Sequence, residues 1–429
     1  MRVSINEQEL CARIKLNYDR LEGDSYYRIE EVFSPTDYPW YGDKEGRALL
    51  AFLSHYKIAG KKIPCMDQMV QALPTRLNDE GYFGPLYRGI AHEEQLSGHS
   101  WLLRGLCEYH QAFGDAFSLA AVKKIVQNLY LPLKGKIGTY PVEREESKKG
   151  GVSGELTEEK AGWLLSTDIG TTFMSIDGLS HAYEITKEAQ LKELLDEMIA
   201  FYLSIDKTKI RAQTHCTLTA ARGMLRMFIN TAEKRYLQGA EDIFRLYAYG
   251  GGMTKTYQNL NWWRREDSWT EPCAIIDSLM VATELYKQTQ KEEYRTLAAR
   301  IYHNGLSTAQ RDNGGAGTDT LICEGSGHEN LYPRRYEAMF CCSMRLAEGL
   351  WYIRENKDLL WAEQTGAVTK NEDHTYRDGD ILYCLPDEGL LPFAEGGKSV
   401  DGLTLYPIVK AYKVPKDIFM ASKQKILFK

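Results

Sequence analysis

The feature that most constrains the fold is a unit of two apolar-periodic runs joined by a short polar turn, repeated along the middle of the chain. Ser97-Gly98-His99 opens a run over residues 101–113, which stops at Gly114-Asp115 and is answered by a second over 116–130. Leu179-Ser180-His181 opens the next, answered after Lys187-Glu188 by residues 191–205. Gln213-Thr214-His215 opens a third, ending near Ala232 and answered by 235–248. Glu271-Pro272-Cys273 opens a fourth over 274–289, answered by 294–306. Apolar side chains at helical spacing, punctuated by glycine and polar pairs, predict helical hairpins. Hairpins strung along several hundred residues predict a closed or stacked helical array, a repeat of structure rather than of wording.

Each opening sets a chemically able side chain just before or at an expected helix start: His99, His181, His215, and Glu271 with Cys273. In a ring of hairpins, like ends of the inner helices gather at one mouth, where a ligand meets one residue from each hairpin. A cap or core role is the plain alternative for each histidine.

Earlier helices are expected over 7–22, 42–58 and 66–77, the last running into the glycine-punctuated loop Asn78-Asp79-Glu80-Gly81-Tyr82-Phe83-Gly84. Residues 142–159 read as an exposed, aperiodic excursion, and 310–333 as a long irregular loop of the kind that is more often functional than idle. Beyond Trp361, the segments 381–385 and 402–409 are short and strand-like. The expected architecture is therefore mostly α, with residues 1–364 as the main domain and 365–429 as a small C-terminal β appendage.

A chain of 429 residues, 43% hydrophobic, can bury a large core. Its net charge of -6, with only local pairs such as Lys148-Lys149 and Arg264-Arg265, argues against a nucleic-acid or membrane partner. No apolar stretch reaches the ~18 residues of a membrane span and the N-terminus lacks a signal-like apolar run, so a cytoplasmic protein is expected. In a reducing compartment the nine cysteines stay thiols. Cys11, Cys65, Cys107, Cys216, Cys323 and Cys384 stand singly and are expected as small buried hydrophobes.

The remaining three cysteines form the chemical signature. Phe340-Cys341-Cys342-Ser343 follows Glu271-Pro272-Cys273 by about seventy residues, together offering three thiols and a carboxylate. Zinc takes four ligands of this kind in a tetrahedron, with Zn–S near ~2.3 Å. The spacing differs from the paired Cys-x2-Cys of a zinc finger, which makes a purely structural role less natural. Gly250-Gly251-Gly252 reads as a helix stop, and neither a phosphate-binding loop nor a serine nucleophile elbow is present.

The hairpins, Asp79-Glu80-Gly81-Tyr82-Phe83-Gly84, Ser97-Gly98-His99, the His215 segment, Gly250-Gly251-Gly252-Met253, Glu271-Pro272-Cys273 and Cys341-Cys342 occur in an order that resembles glycoside hydrolase family 127, the β-L-arabinofuranosidases. The likeness runs over roughly residues 35–355. It implies an (α/α)6 barrel, a six-hairpin glycosidase-like toroid, binding Zn2+ through Glu271, Cys273, Cys341 and Cys342. It also implies Cys341 as the nucleophile of a retaining reaction on a small carbohydrate substrate, with His99, His181 and His215 contacting the sugar. The family's acid/base glutamate, roughly fifteen residues before Glu-x-Cys, has no counterpart here. That stretch reads Thr254-Lys255-Thr256-Tyr257-Gln258-Asn259-Leu260. Tyr257 is a candidate proton donor; Glu266 and Asp267 are the nearest acids in sequence, and Glu93 and Glu94 stand just before His99. Ser343-Met344-Arg345 replaces the family's Pro-Pro-Asn, and the C-terminal region is short, so the chain reads as a divergent member. The alternatives are a non-hydrolytic carbohydrate-binding relative with structural zinc, and a sugar epimerase or lyase on the same toroid.

Overall fold

A computed structural model describes residues 1–34, 40–144, 156–265, 268–311, 313–318, 336–370, 376–384, 398–400 and 403–407. The helices are α1 (Glu7–Gly23), α2 (Ile29–Val32), α3 (Asp43–Ala59), α4 (Cys65–Ala72), α5 (Glu93–Phe113), α6 (Ala116–Ile125) and α7 (Ser175–Thr186). They continue with α8 (Ala189–Ser204), α9 (Thr214–Thr231), α10 (Lys234–Tyr249), α11 (Pro272–Thr289), α12 (Glu292–Arg300), α13 (Ser307–Ala309) and α14 (Cys342–Asn356). The strands are β1 (Arg2–Val3), β2 (Ala91–His92), β3 (Leu156–Lys160), β4 (Trp163–Ser166), β5 (Gly317–Thr318) and β6 (Tyr336–Glu337). Six more follow: β7 (Ala362–Glu363), β8 (Thr369–Lys370), β9 (Tyr376–Asp378), β10 (Ile381–Cys384), β11 (Lys398–Val400) and β12 (Leu403–Pro407). The chain divides into two compact units, one of Met1–Leu21 with Leu246–Lys429 and one of Glu22–Arg245.

In the Glu22–Arg245 unit, α3 packs on α5, α5 on α7 and α7 on α9, with α6 and α8 set against this row. The row is close because each contact runs through a glycine. A Cβ on Gly46 would lie 2.2 Å from the Leu102 nitrogen, one on Gly178 2.5 Å from the Ser100 carbonyl oxygen, and one on Gly223 2.6 Å from Ile176 backbone. Glycine inside a helix costs about 1 kcal/mol relative to alanine. Here that cost is offset by backbone contact no side chain would allow, and α5, α7 and α9 are buried on almost every side. A three-stranded sheet, β2-β4-β3, lies beside the start of α5, with His92 opposite Leu164.

In the other unit, α11 packs on α12 and α14, and the close point is Gly349, whose Cβ would meet the Ile276 side chain at 3.0–3.3 Å. A five-stranded sheet, β11-β12-β10-β9-β8, follows, and β1-β7 and β5-β6 form two-stranded pairs. Among the described residues no helix is long and apolar enough to cross a membrane.

The expected helices appear, with two corrections. His99 and His181 lie well inside α5 and α7 rather than at their starts. Gly98 looked like a start signal, yet its bare Cα serves close packing: a Cβ there would sit 2.3 Å from the Tyr41 carbonyl oxygen. The start of α5 is instead capped by His92, whose ring accepts the Gln95 N–H. Cys11 is exposed, because it falls on the outer face of α1, whereas Cys65, Cys107 and Cys216 are buried. The expected excursion at 142–159 and loop at 310–333 fall largely outside the described residues, as do Cys323, Glu266 and Asp267.

Candidate metal centre

Two helix starts meet in the Leu246–Lys429 unit. Pro272 occupies the first position of α11, where its missing N–H costs nothing, and Cys273 follows one residue in. Glu271 precedes it in extended conformation, and its N–H donates to Asn259 Oδ1 at 2.7 Å, which fixes the carboxylate-bearing residue against the 253–259 turn. Cys342 is the first residue of α14, with Cys341 as the residue before it.

The vicinal pair is held from behind. The Ser343 hydroxyl donates to Glu337 Oε1 at 2.8 Å and accepts the Ala316 N–H at 3.0 Å. Glu337 takes a bidentate contact from Arg20, at 2.9 and 2.8 Å. Asn17 Nδ2 donates to the Ser343 carbonyl at 3.0 Å and to that of Gly314 at 2.9 Å. A serine after the pair thus connects it to α1 and to β6. One turn deeper, Arg345 of α14 pairs with Asp277 of α11 and Glu348 of its own helix, all three nearly inaccessible.

This scaffold brings the donor atoms of Glu271, Cys273, Cys341 and Cys342 within 4.8 Å of one another. The Cys342 sulfur is 3.5 Å from both Cys273 Sγ and Cys341 Sγ. Tetrahedral ligands at a Zn–S length of ~2.3 Å stand roughly 3.8 Å apart, so the donor set fits a tetrahedral cation in both type and spacing. With protein alone around it, burial pushes the Cys342 thiol well up, and contacts with Cys273 and Cys341 push it further. The helix starts act the other way, since their unsatisfied N–H groups favour negative charge on Cys273 and Cys342. Cys273 and Cys342 are wholly buried, while Cys341 keeps 8% of its surface.

His99 uses both ring nitrogens within the protein: Nε2 accepts the Phe83 N–H at 2.9 Å and Nδ1 donates to the Gln95 carbonyl at 2.8 Å. Neither is free for a sugar hydroxyl, so the geometry gives His99 the task of holding the Tyr82-Phe83 loop rather than a ligand. His181 Nε2 meets Gln111 Oε1 at 3.0 Å, and burial followed by the nearby Arg226 and Arg104 holds the ring neutral. His215, at the start of α9, stacks on Trp101 with centroids 5.9 Å apart. Tyr257 lies in the other unit in the left-handed region, at φ 63°, and its hydroxyl accepts from Arg377 at 3.2 Å. Glu93 is committed internally, to Tyr140, Arg144 and the Ser166 N–H at 2.5, 3.0 and 2.9 Å.

The chain matches no protein-family model and no curated protein. Solved structures do resemble it. One described as a glycoside hydrolase superposes with a TM-score of 0.55 at 12% identity, over 90% of this chain and 68% of that one. A family 127 β-arabinofuranosidase superposes with a TM-score of 0.53 at 12% identity over 91% of this chain, and this chain spans only 64% of its length. A cellobiose 2-epimerase from Bacillus thermoamylovorans gives 0.51 at 13% identity, over 80% of this chain and 100% of that one. These likenesses show the fold: a mostly helical (α/α)6 toroid with small sheets.

Proposed function

We propose that the chain is a zinc-dependent retaining glycoside hydrolase, a divergent relative of the family 127 β-L-arabinofuranosidases, acting on a small glycoside or oligosaccharide. The observation that supports it most is the convergence of three thiols and one carboxylate within 4.8 Å. Glu271, Cys273, Cys341 and Cys342 would hold the ion, whose positive charge keeps coordinating thiols deprotonated at neutral pH.

Cys341 is the nucleophile. Of the three clustered cysteines it alone keeps exposed surface, 8% against 0% for Cys273 and Cys342, which suits the one that must reach substrate. Its sulfur attacks the anomeric carbon as the bond to the leaving oxygen breaks, giving a thioglycosyl enzyme; water then displaces the sulfur, and two inversions amount to retention. The leaving oxygen gains a proton in the first step and the water loses one in the second. Tyr257, in the same unit as the four donors, contacts the sugar, and residues 1–364 form the catalytic domain with 365–429 as its appendage.

The test is turnover of a panel of nitrophenyl glycosides, including the β-L-arabinofuranoside, with product anomers followed by NMR. Cys341→Ser is expected to lose at least ~10³-fold in kcat. Unchanged turnover removes the nucleophile assignment. One observation favours a second reading, a sugar epimerase: the solved cellobiose 2-epimerase is matched over its whole length, and residues 254–260 carry no carboxylate. There histidines move protons and no covalent intermediate forms. Release of a free sugar with retained configuration excludes that reading, and any hit in the panel excludes a purely structural zinc.

A further inference from the structure

In the unit of Met1–Leu21 and Leu246–Lys429, a buried carboxylate that is not one of the four donors grips the cysteine pair from behind. Glu337 lies in β6, opposite Gly317 of β5, and its side chain is 1% exposed. Arg20 donates to it at 2.9 and 2.8 Å, the Asn313 amide at 3.1 Å and the Ser343 hydroxyl at 2.8 Å. A Cβ on Gly315 would fall 2.1 Å from Glu337 Oε1, so the glycine leaves the carboxylate its place.

The next residue adds a main-chain hold. The Ala338 carbonyl accepts the Cys341 N–H at 3.4 Å and the Ser343 N–H at 3.1 Å, while the Ala338 N–H is tied to the Ala316 carbonyl at 3.0 Å. Residues 337 and 338 thus fix the chain on both sides of Cys342. The outer support comes from α1, of which only Leu10, Asn17 and Leu21 are buried. Its grip on this region is therefore polar: Arg20 holds Glu337, and the Asn17 amide holds the Gly314 and Ser343 carbonyls at 2.9 and 3.0 Å. Arg13, one turn before Asn17, bonds the Ser307 carbonyl at 3.0 Å and Gln310 Oε1 at 3.3 Å. It helps to dock the helix without touching Glu337 or the pair.

A metal site tolerates only ~0.2 Å of error in each bond, so groups that orient the ligands decide affinity nearly as much as the ligands do. We propose that Glu337 is a positioning residue of the metal centre: held by Arg20, it fixes Ser343 and with it the Cys341–Cys342 turn, so that the pair meets the cation without rearranging. α1 is then part of the centre although none of its residues is a ligand. This deepens the zinc reading above and rests on it, but one of its tests needs no metal.

Zinc affinity of the full chain is measured by competition with a chelating dye in wild type, Arg20→Met, Ser343→Ala and Arg13→Met. Arg20→Met should weaken binding at least ~10-fold and Ser343→Ala at least ~3-fold, while Arg13→Met stays within ~2-fold. With cobalt(II) in place of zinc, the visible absorption of the tetrahedral site should change in Arg20→Met and not in Arg13→Met. Ser343→Ala removes only a hydroxyl and carries the test if Arg20→Met fails to fold. In the metal-free chain, iodoacetamide should modify Cys341 at least ~5-fold faster in Arg20→Met than in wild type, with exposed Cys11 of α1 as the unchanged control. Equal zinc affinity in wild type, Arg20→Met and Ser343→Ala overturns the proposal. So does a loss in Arg13→Met as large as in Arg20→Met, which would mean that α1 merely has to be docked. A wild-type chain that binds no zinc overturns the metal reading instead; the positioning role is then decided by the labelling, and equal Cys341 rates in wild type and Arg20→Met overturn it.

Discussion

Arg345→Met tests how the two helices that carry the cysteines are held. The guanidinium lies between Asp277 of α11 and Glu348 of α14, with side chains 1%, 0% and 4% exposed. Removing it strips two buried carboxylates of a shared cation, and breaking a buried pair in this way costs about 3–5 kcal/mol. For a chain of 429 residues melting as one, the unfolding entropy corresponds to roughly 0.9 kcal/mol per degree, so the midpoint should fall by roughly 3–6 °C. Replacing the whole group at once, as Asp277→Leu, Arg345→Met and Glu348→Leu, removes every charge and should return the midpoint to wild type or above it. Because Asp277 and Arg345 lie one turn beyond Cys273 and Cys342, the single variant should also weaken zinc binding by ~10-fold, while the triple variant should bind more tightly than the single one. Calorimetric melting with and without zinc reads both effects. An Arg345→Met protein that melts with wild type would refute the argument.

Three further outcomes follow from the packing and the titrating groups. Gly46→Ala should cost about 3 kcal/mol or prevent folding, since its Cβ would fall 2.2 Å from the Leu102 nitrogen and the backbone must move; urea unfolding measures it, and a neutral result contradicts the close α3–α5 contact. Asn259→Ala should leave the Glu271 N–H without its 2.7 Å acceptor, costing about 1–2 kcal/mol and weakening metal binding, read by competition with a chelating dye. Burial lowers His55, His92 and His99 to about 4. A lowered folded value means the unfolded chain takes protons first, so stability is complete above pH ~6.5 and is lost as pH falls toward ~4. Urea midpoints should therefore decline steadily over that window, and a flat profile between pH 7 and 4.5 would count against the buried, neutral rings.

Much of the helical architecture was legible because the helices carry apolar residues at helical spacing and end at glycine or polar pairs. What misled was glycine itself. Gly98 resembles a boundary, but its role is long-range, clearing space for the Tyr41 backbone, and nothing within the local window distinguishes the two. The true start of α5 is capped by histidine, outside the usual Ser, Thr, Asp and Asn set. The four donors could be picked out because three thiols and a carboxylate are a chemical type. Their support could not, since Asp277 and Arg345 are about seventy residues apart and each reads alone as a surface charge. Glu93 and Glu94 were likewise inseparable in sequence; only the fold commits the Glu93 carboxyl to Tyr140, Arg144 and the Ser166 N–H.

The central claim is that Glu271, Cys273, Cys341 and Cys342 bind zinc. Elemental analysis of the purified full chain tests it most directly, alongside Cys273→Ser and Cys342→Ser. About one zinc per chain in the wild type, lost from both variants while helical content by circular dichroism is kept, is the predicted result. A folded wild-type chain that binds no zinc, or equal zinc in all three proteins, would contradict it.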